Sequence, residues 1–127
     1  MRINSITVSI ASLGALVGFF IGGCDGLLIA LMCMVVADYI TGVMVAVVKK
    51  ELSSEIGFRG IFRKLTIFLL IGAANLLDVY LLTGSCMLRT ATIFFYMSNE
   101  CISLIENAVG LGLPIPQKIK ETLAQIK

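Results

Sequence analysis

Several carboxylates and carboxamides stand inside stretches of the chain that are otherwise apolar. Asp38 interrupts the apolar run 27–48, and Asn75 and Asp78 lie three residues apart in the run 65–83. Side chains three residues apart share a face of a helix. Ionisable groups at membrane depth are costly, and they commonly mark pathways for ions or water. These residue types therefore indicate polar faces that meet protein or water within a membrane.

The densest group of such residues lies in the run 91–113. On a helical wheel its polar and small side chains fall within an arc of about 120°, and Phe, Ile, Leu and Val occupy the opposite side. A single polar stripe is typical of a helix with one face on lipid and the other on protein or water. The stripe consists of Thr92, Tyr96, Asn99, Glu100, Ser103, Glu106, Asn107 and Gly110. Asp38, Thr41 and Gly42 make a similar face on the run 27–48.

Two arrangements of these polar faces are open. In the first, the carboxylates are protonated or hydrogen-bonded by neighbouring amides in a closed polar core. In the second, which we favour, the faces line water once several copies of the chain assemble. No basic residue lies at mid-depth in any apolar run, so we expect no cation within reach of Asp38 or Glu100.

The composition supports a membrane protein and excludes most other classes. Of the 127 residues, 58% are hydrophobic and only 14% are charged. Soluble domains are about 45–50% apolar with glycine included, and about 25% charged. The net charge of +2 is too small for the basic surface of a nucleic-acid-binding protein. The chain contains no His, no GxSxG or HExxH motif and no phosphate-binding loop. We therefore expect a non-enzymatic membrane protein without metal, cofactor or nucleic acid.

Crossing a membrane as a helix takes about 20 residues, and four runs are close to this length: 6–23, 27–48, 65–83 and 91–113. Pro114 and Pro116 end the last run, because proline cannot continue a helix beyond its first turn. We predict an all-α membrane protein with one domain over residues 1–127. Three of its four transmembrane helices are clear and the fourth is amphipathic. The alternative is a fourth helix that lies flat or inserts only on assembly. The tail predicts a short interfacial helix from an apolar face of Ile119, Leu123 and Ile126.

The basic residues predict the orientation, because cytoplasmic segments are enriched in Lys and Arg. Four spans place nine of the ten Lys and Arg residues on one side. We therefore predict a multi-pass protein of the bacterial cytoplasmic membrane with both termini cytoplasmic. Arg63 or Lys64 is expected to reach toward Glu106 from this side, and Arg89 toward Asp78 from the other. Aromatic residues interleaved with the basic connection indicate contact with anionic lipid headgroups. This connection carries Lys49, Lys50, Arg59, Arg63 and Lys64, and the termini add Arg2, Lys118, Lys120 and Lys127.

Small residues on the first helix predict close helix contacts, since small faces let backbones approach each other in lipid. Gly14, Gly18 and Gly22 form a GxxxGxxxG repeat, and Gly42 lies in the second helix. We interpret these glycines as packing or oligomerisation positions. The pattern leaves open whether the contacts lie within one subunit or between subunits of a homo-oligomer.

The cysteines leave two further questions open. Cys24 and Cys86 both fall near the outer face, where a disulfide between them can form. The stretch 21–24 also has the form of a lipoprotein cleavage site, although a second apolar run follows almost at once.

Four stretches of the chain occur in a distinctive order and spacing. They are DYITG at 38–42, SEIGFRGIFRK at 54–64, AANLLD at 73–78, and NECISLIEN at 99–107 followed by GLPIP at 112–116. In these stretches the chain resembles the toxin-secretion and phage-lysis holin family, which includes holins encoded beside large clostridial toxins. The resemblance extends roughly from Asp25 to Leu123.

The resemblance implies a non-enzymatic protein that accumulates and oligomerises in the cytoplasmic membrane and then opens large lesions. Such lesions release endolysin or toxin and cause lysis of the host cell, and the released protein need not touch the holin. Two other functions stay open. One is a small proton- or cation-coupled transporter or channel subunit with its ion site at Asp38 or Glu100. The other is an antiholin, which is built alike but inactive alone.

Overall fold

The computed structural model describes residues 3–126. Met1, Arg2 and Lys127 lie outside the described residues, as does the side chain of Ile126. Arg2 and Lys127 had entered the predicted charge asymmetry. Five helices and no strand are found in the described part of the chain, so the all-α prediction is confirmed. The helices are α1 (Ser5–Ile21), α2 (Gly26–Val48), α3 (Ser54–Tyr80), α4 (Met87–Gly110) and α5 (Gln117–Ile126).

Two of these helices, α2 and α3, are long and apolar enough to cross a membrane. α1 is apolar but has only 17 residues, and α4 is interrupted by the polar residues of its stripe. Many of the apolar side chains on α1 to α4 face outward, which suits a protein surrounded by lipid chains.

The boundary of α3 differs most from the prediction. The helix begins at Ser54, so much of the predicted polar connection is helical and continuous with the span. The Ser53 hydroxyl accepts a hydrogen bond from the Ile56 backbone N–H at 3.2 Å, which caps the first turn. Gly57 and Gly60 do not end the helix, although each costs about 1 kcal/mol of helix propensity relative to alanine. A neighbouring helix packs against both glycines, as described below.

The packing of the helices is uneven. α4 packs extensively against both α2 and α3, whereas α2 and α3 meet each other only over a small area. α1 packs against α3 and has no buried side chain. Apolar residues of the three central helices form a buried core, which consists of Leu28, Leu31, Val35, Ile67, Ile71 and Ile93.

The sequence suggested that the glycine repeat forms one continuous face of α1. The structure shows that it does not, because only Gly14 and Gly18 lie within the helix. Gly14 and Gly18 lie in the helix and have open space around them. Gly22 instead follows the last helical residue and takes the left-handed conformation, with φ +88°. It caps the helix, and its backbone N–H donates to the Gly18 carbonyl oxygen at 3.0 Å.

Replacing Gly22 with alanine is expected to destabilise the attachment of α1. A methyl group at this position would lie 2.5 Å from the Asn75 Oδ1 atom and 2.8 Å from the Arg89 Nε atom. The left-handed backbone adds about 1–2 kcal/mol for any residue with a Cβ atom. Gly23 is the matched control, since it has φ +92° but open space for a methyl group. Thermal unfolding in detergent should therefore show a clearly larger loss for Gly22→Ala than for Gly23→Ala, and equal losses would contradict the packing argument.

All four cysteines are free and exposed in the structure. The disulfide between Cys24 and Cys86, which the sequence left open, is therefore not formed here.

Candidate functional site

A buried cation lies between two buried carboxylates where α2, α3 and α4 meet. The Lys64 ammonium group donates hydrogen bonds to Asp38 Oδ2 and, at 2.6 Å, to Glu100 Oε2. The side chains are only 18%, 8% and 7% exposed for Lys64, Asp38 and Glu100. The expectation that Asp38 and Glu100 have no cation within reach is therefore wrong. It failed because α3 extends past its predicted start, which places Lys64 inside a helix instead of at its end.

Asn107 completes this group, which we call the Lys64 cluster (Asp38, Thr41, Lys64, Glu100 and Asn107). The Asn107 side-chain amide donates to Asp38 Oδ1 and to Thr41 Oγ1, both at 2.9 Å, and to the Asp38 carbonyl oxygen at 3.2 Å. The Thr41 hydroxyl in turn donates to the Ala37 carbonyl oxygen at 2.9 Å. Within residues 3–126 no buried side-chain nitrogen or oxygen lacks a hydrogen-bond partner. The buried polar groups of the Lys64 cluster are therefore hydrogen-bonded within one protomer.

Tyr39 holds the first part of α3 in place beside the cluster. Its hydroxyl donates to the Gly57 carbonyl oxygen at 3.3 Å. A methyl group on Gly60 would lie 3.3 Å from a ring carbon of Tyr39, so glycine permits close packing here. Lys64 lies one helical turn after Gly60 and therefore faces the same side of α3. This contact between α2 and α3 directs the Lys64 side chain toward Asp38.

A cavity of about 760 Å³ opens beside the Lys64 cluster, between α2, α3 and α4. It exists because α2 and α3 make little contact with each other. Most of the polar residues that the sequence singled out line it, together with Gly42 and the two basic residues nearest the cluster. The predicted residues on its wall are Asp38, Gly42, Arg63, Lys64, Tyr96, Asn99, Glu100, Ser103, Glu106 and Asn107.

Asn75 and Asp78 lie elsewhere, at the other end of the helices. The Asn75 amide donates to the carbonyl oxygens of Phe19 and Phe20 at 3.2 and 3.0 Å. Asp78 is fully buried, and its carboxylate accepts the backbone N–H groups of Leu88 and Arg89 at 3.0 and 2.8 Å. The polar residues predicted from the sequence thus divide into two separate layers.

We had expected the Arg89 side chain to reach toward Asp78, but it does not bind that carboxylate. Its guanidinium group donates to the carbonyl oxygens of Ile21 and Gly23 at 2.7 and 2.9 Å and to Asp25 Oδ2 at 2.7 Å. The last carbonyl groups of a helix lack partners within the helix, and Arg89 supplies donors to those at the end of α1. Asp78 instead accepts the equally unpartnered N–H groups at the start of α4. We call Asp25, Asn75, Asp78 and Arg89 the Arg89 layer.

The ion pair of Asp25 with Arg89 predicts a small dependence of stability on pH. The hydrogen bond from the Arg89 guanidinium, and after it the one from the Leu28 backbone N–H, hold the pKa of Asp25 below its ordinary value of 3.8. A lowered pKa stabilises the folded state above pH 3.8, and this stabilisation is lost as the pH falls through the lowered value. Since the Asp25 side chain is half exposed, Asp25→Asn should reduce the unfolding free energy at neutral pH by less than about 1 kcal/mol.

The difference between wild type and Asp25→Asn should then shrink as unfolding is measured at decreasing pH. It should vanish once the pH lies below the lowered pKa of Asp25, because the carboxyl group is then uncharged like the carboxamide. A difference that stays constant over this range would contradict the role of the ion pair.

The predicted basic connection is divided by the fold. Lys49 and Lys50 are exposed at the end of α2. Arg59 pairs on the surface with Glu55 at 3.0 Å, while Arg63 and Lys64 line the cavity. A sequence signal for Lys64 did exist. Lys64, Ile67, Ile71, Asn75 and Asp78 follow each other at intervals of three or four residues, which is the spacing of one helical face.

No group of three or more potential metal ligands is found among the described residues.

Comparison with known proteins relates this arrangement to one family. The family model of the bacteriophage holin family matches residues 15–127. An uncharacterized 14.9 kDa protein in the nagH 3′ region of Clostridium perfringens is 44% identical over 98% of this chain and 94% of its own length. An uncharacterized protein of Listeria innocua is 39% identical, over 93% of this chain and 84% of its own length. A probable holin of Bacillus phage phi105 is 39% identical over 72% of this chain and 67% of its own length.

No solved structure matches the chain. The family match covers most of the sequence and includes α2, α3 and α4, which build the Lys64 cluster. The chain therefore belongs to the bacteriophage holin family.

Proposed function

We propose that this chain is a holin that assembles with copies of itself in the bacterial cytoplasmic membrane and permeabilises it. The resulting lesions release an endolysin or a secreted toxin, without direct contact with the released protein, and cause lysis of the cell. The observation that carries this proposal is the Lys64 cluster. A satisfied group of charges is hidden inside helices whose outer surface is apolar.

The cluster supports a protein with two states. In the closed protomer the polar faces of α2, α3 and α4 bind each other, so the outer surface can remain in lipid. If the helices separate within an assembly, the same faces become available to water and can line a lesion. An intermediate in which the helices have separated only in part is costly, because each buried charge that has lost its partner is strongly destabilising. This cost favours a cooperative change from closed to open.

The proposed topology has α1 to α4 crossing the membrane, with the Lys64 cluster toward the cytoplasm and the Arg89 layer toward the outside. Exposed basic residues at the end of α2, on α3 and on α5 support this orientation by the positive-inside rule. Both termini are then cytoplasmic, and α5 lies on the inner surface. Its strongly amphipathic pattern and its Lys118 and Lys120 fit an interfacial helix.

The second candidate is a small ion-coupled transporter or channel subunit, which the carboxylates on the cavity wall favour. Induced expression in a bacterium that contains a cytoplasmic reporter enzyme separates the candidates. A holin should cause an abrupt loss of viability with release of the reporter. Slow, pH-dependent ion flux without release would support the transporter and contradict the holin. An antiholin should cause no lysis alone and should delay lysis by an active holin.

Replacing Gly18 with leucine is expected to delay or abolish lysis. Gly14 and Gly18 lie on one side of α1 and have no neighbour within 4 Å in the protomer. We propose that they contact a second copy of the chain, where a large side chain would prevent close approach of the backbones. Leu16 lies on the opposite side of α1 and is exposed, so Leu16→Phe is the matched control. Normal lysis time for Gly18→Leu, at equal membrane accumulation by immunoblot, would reject this role.

A further inference from the structure

An apolar layer separates the two polar layers of the protomer. Each of the three central helices contributes to it, and in each helix the apolar residues lie between the polar residues of the two ends. In α2, Leu31 lies between Asp25 and Asp38, and in α4, Ile93 lies between Arg89 and Glu100. The layer comprises Leu28, Leu31, Val35, Ile67, Ile71 and Ile93.

This layer is tightly closed but thin. Leu31, Ile71 and Ile93 have no exposed surface at all. At about 1.5 Å per residue, the layer extends about 10 Å along α2 from Leu28 to Val35, a third of a hydrocarbon core of about 30 Å.

The cavity reaches this layer from the side of the Lys64 cluster. Its wall includes Ile67 of the apolar layer together with Glu100, Ser103 and Lys64. The cavity of about 760 Å³ is large enough for many water molecules. Charged and polar side chains interrupt its largely apolar wall and supply the hydrogen-bond partners that a buried water molecule needs. Three carboxylates (Asp38, Glu100, Glu106) and two cations (Arg63, Lys64) line it, which favours small cations over anions.

We propose that each protomer contains a water-filled half-channel that admits small cations from the Lys64 side as far as a hydrophobic seal of Leu31, Ile71 and Ile93. While the seal is dry it holds the ion gradient, because apolar constrictions gate ion passage by excluding water. When the seal is wetted, cations pass to the Arg89 layer and cross the membrane. This activity belongs to the single protomer and is separate from the proposed lesion between protomers.

The test compares seal variants with a lipid-facing control in proteoliposomes. Leu31→Ser and Ile93→Ser place a hydroxyl group in the seal, whereas Ile29→Ser places one on the outer side of α2, where Ile29 is 50% exposed. The vesicles carry a potassium gradient and an encapsulated enzyme. The seal variants should dissipate the gradient at least about tenfold faster than wild type, by wetting of the constriction. The seal variants should release no more enzyme than wild type does, and Ile29→Ser should behave like wild type in both measurements.

A second measurement decides the proposal even if a seal variant fails to insert. The four exposed native cysteines are replaced by alanine, and a membrane-impermeant charged thiol reagent is applied to each side of oriented vesicles. Ser103→Cys, on the cavity wall, should be labelled from one side only. Ile93→Cys, in the seal, should be labelled from neither.

The proposal is overturned if Ser103→Cys resists the reagent from both sides. It is also overturned if inserted, helical seal variants keep the gradient as long as wild type does. These outcomes are distinct from failure of the proposed holin function, which is measured by release of a reporter enzyme by the wild-type chain.

Discussion

Lys64→Met is expected to remove most of the protein from the membrane fraction. Lys64 is the cation that binds both Asp38 and Glu100, and both carboxylates are almost completely buried. Loss of one partner from a buried ion pair costs about 3–5 kcal/mol, because the other charge is left uncompensated. In Lys64→Met, two buried carboxylates lose their cation. Since whole domains are stable by only about 5–15 kcal/mol, the closed protomer should lose much of its stability. Immunoblots of membrane fractions and unfolding in detergent measure this loss.

Neutral substitutions at the carboxylates provide the control for this prediction. Asp38→Asn and Glu100→Gln, added to Lys64→Met, remove all three charges and keep the side chains close to their native size. Replacing a whole buried ion pair with uncharged groups is often neutral for stability, so the triple variant should accumulate again. Lys49→Met changes an exposed lysine and should have no effect. Normal accumulation of Lys64→Met would contradict the importance of the cluster for the closed state.

The triple variant also tests the role of the charges in lysis. If the polar faces of the Lys64 cluster line the lesion, a wall without charges binds water less strongly. The variant should then accumulate normally but release the reporter enzyme late or not at all. Wild-type lysis time in this variant would show that the charges serve the closed protomer alone.

Asp78→Leu is expected to cause the second large loss, at the opposite end of the protomer. The Asp78 carboxylate is fully buried and accepts two backbone N–H groups at the start of α4. These two hydrogen bonds cap α4, and each buried donor left without an acceptor costs about 1–3 kcal/mol. A total loss of about 3 kcal/mol or more is expected in detergent unfolding monitored by circular dichroism.

A graded series makes this second prediction specific. Asp78→Asn keeps one acceptor oxygen, so its free energy of unfolding should lie between those of wild type and Asp78→Leu. Leu77 is the adjacent exposed residue, and Leu77→Ala should change the stability little. If Asp78→Asn and Asp78→Leu are equally stable, the carboxylate does not cap α4 in the way described.

Much of the helical architecture follows from the sequence. The apolar runs and the two prolines after the fourth run predict four long helices and a tail helix, and all five are found in the described residues. The polar stripe of α4 was also identified, and most of its members line one cavity. Periodicity carries this information because side chains on one helical face share one environment.

The start of α3 could not be predicted from the composition of the segment. Basic residues and glycines between 49 and 64 are typical of a connection, and the sequence led us to begin the span at Leu65. The residues Gly57, Gly60 and Lys64 nevertheless continue the inward face of α3. Their polarity and flexibility are compensated by Tyr39 and by buried carboxylates from other helices. Such compensation depends on neighbours in space and is not visible within the segment.

The sequence by itself determined that this protein is helical, apolar on its outside and polar along selected helical faces. In lipid a backbone must satisfy its own hydrogen bonds, so an apolar run of sufficient length has little choice but a helix. Only the tertiary structure decided which charges meet. Lys64 lies 26 residues from Asp38 and 36 from Glu100 along the chain, and Arg89 lies 68 from Ile21. Helix crossings set these pairs, because a charge buried in the protein is strongly destabilising unless a partner lies beside it.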